Sequence, residues 1–305
     1  MLPIKRYLKE PSLIIQGLLM KFNFLFPDKF YLKLMYRSKM GFPLNLKNPQ
    51  RFSEKLQWLK LYDRKPQYTQ MVDKIAVKPY VANIIGEEYI IPTLGVWEHF
   101  DDIDFDRLPD SFVLKTNHSG GSTGVIVCRD KATLDRQKAK IRLEHSLKKG
   151  IFPTLREWPY KDVKPMILAE KLLESDDIHG LMDYKVFCCN GEPKCVKVNY
   201  DVETDYHVNW YTPDWKYIEG TTVKDPTNPS VQIDRPKDLE LLLDLSKKLS
   251  EGIPYLRVDF YINGKGLWFG ELTFFPGSGF ERFDPDSFDY EIGSWITLPK
   301  KNQRS

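Results

Sequence analysis

Two stretches far apart in the chain carry side chains whose types and spacing suit phosphoryl chemistry. The first is Val113-Leu114-Lys115-Thr116-Asn117-His118-Ser119-Gly120-Gly121-Ser122-Thr123-Gly124-Val125. A strand ending near Lys115 runs into a loop of small and hydroxyl residues, Ser119, Gly120, Gly121, Ser122, Thr123 and Gly124. Such a loop can turn several backbone N–H groups toward phosphate oxygens, and Lys115 adds a cation. No Gly-Lys-Ser/Thr ends the loop and no helix follows directly. Val125 continues as a strand, which fits a hairpin folding over phosphates rather than a helix N-terminus. Taken alone, the stretch describes an ordinary mobile surface hairpin equally well.

The second stretch is Leu256-Arg257-Val258-Asp259-Phe260-Tyr261 followed by Gly266-Leu267-Trp268-Phe269-Gly270-Glu271-Leu272-Thr273-Phe274. Period-two alternation puts Arg257 with Asp259 on one face, and Glu271 with Thr273 on one face. A turn at Asn263–Gly266 folds the two runs together. A four-residue loop pairs Val258 with Glu271, whereas one bulge or a loop of odd length sets Asp259 opposite Glu271. Facing carboxylates repel unless a cation lies between them. Oxygen donors of this kind suit Mg²⁺, which also binds substrate phosphates. The other reading is a solvated sheet edge. A phosphate cover and a magnesium clamp are the two parts that triphosphate chemistry needs.

The elements that must bring these stretches together can be read from pattern. Residues 1 to about 65 are mainly helical, with Phe52, Leu56 and Leu59 at helical spacing and Ser53 and Glu54 near a start. A second helix is predicted over Thr69–Ile85, stopping at Gly86. Strands are predicted at 112–116, 125–128 and 167–173, with a basic helix over 133–149. Tyr184–Cys189 and Lys194–Tyr200 flank Asn190–Gly191–Glu192–Pro193, a hairpin signal. A second hairpin spans 208–218. Residues 221–236 read as an exposed loop, and 236–250 as an amphipathic helix with Leu239, Leu242, Leu243 and Leu249. The sum is an α+β protein with antiparallel hairpins.

Composition narrows the classes. The chain has 305 residues, 45 Lys plus Arg against 42 Asp plus Glu, and a net charge of +3, too small by itself to suggest a nucleic-acid partner. With 42% apolar and 29% charged residues, neither gross disorder nor a multi-span membrane protein is expected. Cys128, Cys188, Cys189 and Cys195 form no CxxC pair and read as buried thiols. There is no HExxH and no GxSxG. Leu13–Met20 is too short to cross a bilayer. With Phe22, Phe24, Leu25 and Phe26 beside Lys21, Lys29, Lys33 and Arg37, residues 1–35 are either a helical cap on the body or a segment lying on an anionic inner leaflet. The cytoplasm is the expected compartment in both cases.

On these residues the chain resembles the ATP-grasp superfamily, and within it the TupA-like branch of bacterial surface-polysaccharide and teichuronopeptide synthesis. The resemblance runs from about Phe52 to Gly279. It is carried by Phe52-Ser53-Glu54-Lys55-Leu56-Gln57-Trp58, Asp73-Lys74, Ile90-Ile91-Pro92, Phe112-Val113-Leu114-Lys115, Ala169-Glu170-Lys171, Asp183-Tyr184-Lys185, Arg257-Val258-Asp259-Phe260-Tyr261 and Glu271-Leu272-Thr273-Phe274-Phe275-Pro276. It implies an α+β ATP-grasp fold whose two lobes clasp ATP, preceded by a helical region. The implied division is 1–68, a first lobe at 69–182 and a second at 183–300.

The resemblance also implies site roles. Lys74 reaches the α-phosphate side, Lys115 stands before the phosphate loop, and Ser119 to Gly124 close over the β- and γ-phosphates. Glu170, Lys171 and Leu172 lie at the hinge near adenine. Asp183 is the ribose carboxylate, and Lys185 contacts phosphate or substrate. Asp259 and Glu271 bind Mg²⁺, and Arg257 steadies the transferred phosphoryl group. The usual Asn two residues after the last Glu is Thr273 here, a shorter and weaker ligand. The implied chemistry is ATP-dependent carboxylate activation through an acyl phosphate, then attack by an amine. Its expected substrates are small: an amino acid or amine and a uronic-acid carboxylate of a glycan or its precursor. The competing reading is a nucleotide-sugar glycosyltransferase using a DxD pair, Asp102–Asp104 or Asp284–Asp286. No general base is named by the sequence: His118 and His207 are candidates through their expected places near loops, against a structural or surface role for each.

Overall fold

Two antiparallel sheets account for most of the predicted strands in the computed structural model, which describes residues 11–121 and 123–301. The smaller sheet contains β1 (Thr93–Trp97), β2 (Phe112–Thr116), β3 (Val125–Cys128) and β4 (Ile167–Lys171), in the order β1-β4-β2-β3. The larger contains β5 (Asp183–Cys189), β6 (Glu192–Tyr200), β7 (His207–Tyr211), β8 (Tyr217–Ile218), β10 (Tyr255–Asn263) and β11 (Gly266–Thr273), in the order β11-β10-β5-β6-β7-β8. The short pair β9 (Thr221–Thr222) and β12 (Phe283–Asp284) stands apart.

Local chemistry explains the turns that matter. At the β5–β6 connection Asn190 and Gly191 have φ of 54° and 80°, the left-handed pair that a tight hairpin requires. In the β10–β11 hairpin, Asn263 pairs with Gly266 and Phe260 with Phe269. The register then shifts so that Asp259 faces Glu271 and Arg257 faces Thr273. Gly270 is the unmatched residue. A Cβ there would lie 3.1 Å from the Asp259 carbonyl oxygen, so glycine lets the bulge close. Of the two registers open in the sequence, the bulged one is observed.

Two cores hold the sheets. A small one gathers Phe105, Phe112, Leu114, Leu143 and Ile167 under the four-stranded sheet. A large one joins the six-stranded sheet, through Val186, Val258 and Leu256, to Tyr31, Tyr36 and Leu56 of the N-terminal helices and Leu242 of the helix Leu239–Leu249. Those N-terminal helices are Pro11–Lys21, Asp28–Met40 and Phe52–Tyr62; the first ten residues of the predicted helical region lie outside the described residues.

Three expectations need correction. The helix predicted over 69–85 is two helices, Gln67–Val72 and Val77–Ile85. They part at Asp73, whose Oδ1 accepts from Ile75 N at 2.9 Å, and Lys74 N–H leaves the helical ladder for the Asn117 carbonyl at 3.1 Å. Both helices bury residues in the large core, including Tyr68, Met71, Val77 and Val81. The helix predicted over 133–149 runs from Arg136 to Leu147, because Asp135 caps it by accepting from Lys138 N. Residues 221–236 are not a free loop: β9 pairs with β12, Thr222 is buried, and Ile233 belongs to the large core.

Candidate active site

The bulge decides the chemistry of the larger sheet. On one face of β5, β10 and β11, six polar side chains converge. Arg257 donates from Nε to Asp259 Oδ1 at 2.7 Å and from Nη2 to Asp259 Oδ2 at 2.6 Å. The same Nη2 reaches Glu271 Oε1 at 2.9 Å and Thr273 Oγ1 at 3.1 Å. Thr273 in turn donates to Glu271 Oε1 at 3.1 Å. Lys185, opposite Asp259 on β5, donates to Asp259 Oδ2 at 2.6 Å and to Asp183 Oδ2 at 2.5 Å. Burial by itself would raise the Glu271 pKa, but Lys74, Arg257 and Lys185 overcome it and hold the carboxyl down to about 2. Burial works the other way at Lys185, yet Asp183 and Asp259 keep its pKa above the ordinary lysine value. Asp183 is pushed up by burial despite Lys185.

The smaller sheet contributes a second charged group. Lys115 on β2 and Glu170 on β4 meet at 2.6 Å, and Lys78 meets the other Glu170 oxygen at 2.6 Å. Lys78 also donates to Ile91 O and Thr93 Oγ1. Glu170 is buried, which disfavours its charge, but the two lysines hold its pKa below the ordinary value. These three side chains line a narrow cleft with Lys74, Ile90, Ile91, Phe269 and Gly270. The cleft therefore lies between the two sheets, where Ile90 also bridges to Phe269. Lys171 is exposed at the end of β4, and its N–H donates to Pro92 O. Leu172, half-buried, follows it.

Lys74 joins the two groups. Its Nζ donates to Ser119 O at 2.7 Å and lies 3.6 Å from Glu271 Oε2. One cation thus touches the Gly-rich loop and the acidic hairpin together. The break after Val72 makes this reach available. Asp73 Oδ1 accepts from Asn117 Nδ2 at 3.0 Å, fixing that corner to the start of the loop. Within the loop, Ser119 and Gly124 are buried while Gly120, Gly121 and Thr123 are exposed. Ser122 lies outside the described residues. A Cβ at Gly124 would lie 2.1 Å from Thr116 Oγ1 and 2.5 Å from Ser146 Oγ, so only glycine fits where the loop returns to β3.

The donor set can be tested against a metal–triphosphate. Joined through Lys74, the cleft and the polar face of the larger sheet hold five cationic side chains, Lys74, Lys78, Lys115, Lys185 and Arg257, with four anionic ones, Glu170, Asp183, Asp259 and Glu271. That excess of positive charge suits a polyanion. Asp259, Glu271 and Thr273 supply hard oxygen donors on facing strands, which suit Mg²⁺ completed by water and phosphate. Among the described residues no cluster of three or more His, Cys, Asp or Glu forms an all-protein metal cage. The residues fit a cation shared with a phosphate ligand better than a resident structural ion.

The remaining candidates fall elsewhere. Asp102 and Asp104 are capping or exposed residues of short turns, and Asp286 pairs with Arg51 while Asp284 is exposed. None of these lines the cleft, so the DxD reading loses its site. His207 Nδ1 lies 2.6 Å from Asp205 O. His118 is buried beside Asn117, and burial followed by Lys74 lowers its pKa. All four cysteines are free and buried.

Sequence reasoning missed Lys78, although it stands only four residues after Lys74. It also missed a buried group behind the hairpin. Lys60 Nζ donates to Leu155 O at 3.0 Å and Ser278 O at 2.7 Å, and Gln57 Nε2 donates to Ser278 O and Gly279 O at 2.9 and 2.7 Å. Ser278 Oγ bonds Glu157. These contacts hold Gly277, Ser278 and Gly279, all at positive φ (52°, 56° and 62°), just after β11.

Comparison with known proteins agrees with this architecture. A family model described as TupA-like ATPgrasp matches residues 54–297. No curated protein matches the chain significantly. Among solved structures, the D-alanine-D-alanine ligase of Helicobacter pylori is 16% identical with a TM-score of 0.40, covering 81% of this chain and 70% of its own. An ATP-grasp RimK domain protein of Sphaerobacter thermophilus is 12% identical with a TM-score of 0.41, covering 78% and 72%. Superpositions this loose do not bear on chemistry; the match over 54–297 carries the assignment.

Proposed function

The chain belongs to the TupA-like ATP-grasp family, and on that premise we propose that it joins an amine, foremost an amino acid, to the carboxylate of a uronic acid in a bacterial surface polysaccharide or its precursor. ATP-grasp enzymes of this kind are ADP-forming ligases that work with Mg-ATP through an acyl phosphate. The substrate carboxylate attacks the γ-phosphate, ADP leaves, and the amine displaces phosphate from the acyl carbon.

In this reading the cleft between the sheets takes the nucleotide. Lys74 and Lys115 neutralise its phosphates, and residues 119–124 cover the β- and γ-phosphates with backbone N–H groups. Glu170, enclosed by Lys78 and Lys115, fixes both lysines; Lys171 and Leu172 face the base and Asp183 the ribose. Asp259 and Glu271, with the Thr273 hydroxyl, would hold Mg²⁺, which when bound offsets charge on the transferred phosphoryl group. Arg257 and Lys185 orient that group and stabilise the oxyanion of the second step. Positioning and electrostatics carry the reaction. The cytoplasm, where ATP is supplied, is the compartment that suits it.

The observation that supports this reading is the reach of Lys74 to both Ser119 and Glu271. The test is an assay of ATP with a panel of uronic acids and amino acids, following ADP and product mass together. A product heavier than the acid by one dehydrated amine, formed with stoichiometric ADP, is expected. ADP release without coupling across the panel would contradict the substrate assignment, and UDP release from a nucleotide sugar would contradict the reaction class.

A further inference from the structure

Far from the cleft, the N-terminal helices leave an apolar surface uncovered. The helix Pro11–Lys21 is fastened to the helix Asp28–Met40 on one side only: Gln16 Nε2 donates to Ser38 O, Ser38 Oγ donates to Ser12 O, and Leu19 enters the large core. The other side and the turn that follows are exposed. Phe24 is 76% exposed, Leu25 63% and Leu18 53%, and Ile14, Ile15 and Phe30 are also open to solvent. A few lone apolar residues on a surface need no explanation, but a contiguous group of this size does.

Charge identifies what the surface fits. Lys21, Lys29, Lys33 and Arg37 border the patch, all exposed, and none forms an ion pair among the described residues. The one acidic residue between positions 11 and 40 is Asp28, and it is already held by Arg64 at 2.7 Å and Arg156 at 3.0 Å. Apolar side chains rimmed by unpaired cations match an anionic bilayer surface, where the former enter the acyl boundary and the latter meet phosphate headgroups. No helix among the described residues is long and apolar enough to cross a membrane, so the contact would lie in the plane of one leaflet.

We propose that residues 14–37 form a docking surface for an anionic phospholipid membrane, with Leu18, Phe24 and Leu25 as the inserted side chains and Lys21, Lys29, Lys33 and Arg37 as the headgroup contacts. The test is sedimentation of the full chain with phosphatidylglycerol/phosphatidylcholine vesicles and with pure phosphatidylcholine vesicles. The expected result is preferential binding to the anionic vesicles that weakens with salt. It should fall about tenfold or more in Leu18→Ser/Phe24→Ser/Leu25→Ser and clearly in Lys29→Glu/Lys33→Glu. Because all five side chains are exposed, both variants should keep the wild-type thermal midpoint. Absence of vesicle binding by the wild-type chain, or unchanged binding by the triple variant, would overturn the proposal. So would a wild-type dimer, dissociated by the triple variant, that does not bind vesicles, since a second copy would then cover the patch.

Discussion

Two regions of the molecule bury polar side chains, and they do so to opposite ends. Along the helix Phe52–Tyr62 the buried polar side chains bond to the protein itself, with Gln57 Oε1 the atom left without a partner. Glu54 accepts from the backbone N–H groups of Asn45, Gln50 and Arg51, Ser53 bonds Asp289, Lys55 donates to Gly293 O and Ile296 O, and Gln57 and Lys60 hold the turn after β11. In the cleft the side chains instead meet one another as charges, with cations in excess and acids drawn into the same small volume. The first arrangement fixes a shape. The second has charge left over for a ligand, and the shape fixed by the first is what aligns it.

The largest effect should separate the two. Glu271→Gln removes a cleft charge without touching the helix seam, so ADP-forming turnover should fall by about 10²–10³-fold while the thermal midpoint stays close to wild type. The Glu271 side chain is 34% exposed, so solvent screening limits what its charge contributes to stability. A variant that kept full turnover would make the cleft no different from any charged surface. Lys60→Met should do the reverse. Taking the Lys60 amine from the Leu155 carbonyl, and leaving the Ser278 carbonyl with Gln57 alone, should cost about 1–3 kcal/mol in denaturant unfolding with little change in nucleotide affinity. Nucleotide affinity that fell in step with stability would erase the distinction.

Gly270→Ala tests whether the bulge links the regions. Its Cβ would crowd the Asp259 carbonyl oxygen at 3.1 Å. The magnesium concentration for half-maximal turnover should rise about tenfold as Asp259 and Glu271 move out of register; an unchanged magnesium requirement would count against the bulge.

The buried lysine also predicts a pH trend. Burial lowers Lys60 to about 7, against an ordinary value of 10.5, with Glu157 opposing that shift. Between those values the unfolded chain holds the proton that the folded chain has released, so this group's share of stability rises with pH across that window and is least below pH 7. Wild type should therefore gain on Lys60→Met between pH 7.5 and 9.5, by at most about 1.4 kcal/mol per pH unit. A stability gap that stayed flat or narrowed would contradict the lowered value. Glu157, raised above its ordinary value by burial, has the opposite slope on the acid side. The smallest effect belongs to Asp102→Asn and Asp284→Asn, which should leave turnover unchanged and stability within about 0.5 kcal/mol. Loss of activity in either would revive the DxD reading.

What the sequence made legible follows the same divide. The Asn190–Gly191 turn, the period-two faces of β10 and β11, and Lys115 before its loop are local patterns and could be read directly. The register of the hairpin could only be narrowed to two, because a single unmatched Gly270 decides it and no local propensity reports that. The break between Gln67–Val72 and Val77–Ile85 was missed because Lys74 N–H is taken by Asn117, a partner distant in the chain. For the same reason Lys60, Glu157 and Ser278 gave no signal: they come from three separate segments, and a lone lysine on a helix reads as a solvated cation. Strand alternation and a possible bulge pointed to Asp259 and Glu271, but Lys78 shows that a cleft residue with no local pattern around it is found only in three dimensions.

The central claim is that the Gly-rich loop and the acidic hairpin meet around one magnesium–triphosphate. Calorimetric affinity for a non-hydrolysable ATP analogue, with and without Mg²⁺, in wild type and Glu271→Gln tests it most directly. The account predicts that Mg²⁺ strengthens binding to wild type and no longer does so in the variant, while analogue binding without metal persists. Equal strengthening by Mg²⁺ in both proteins would contradict it.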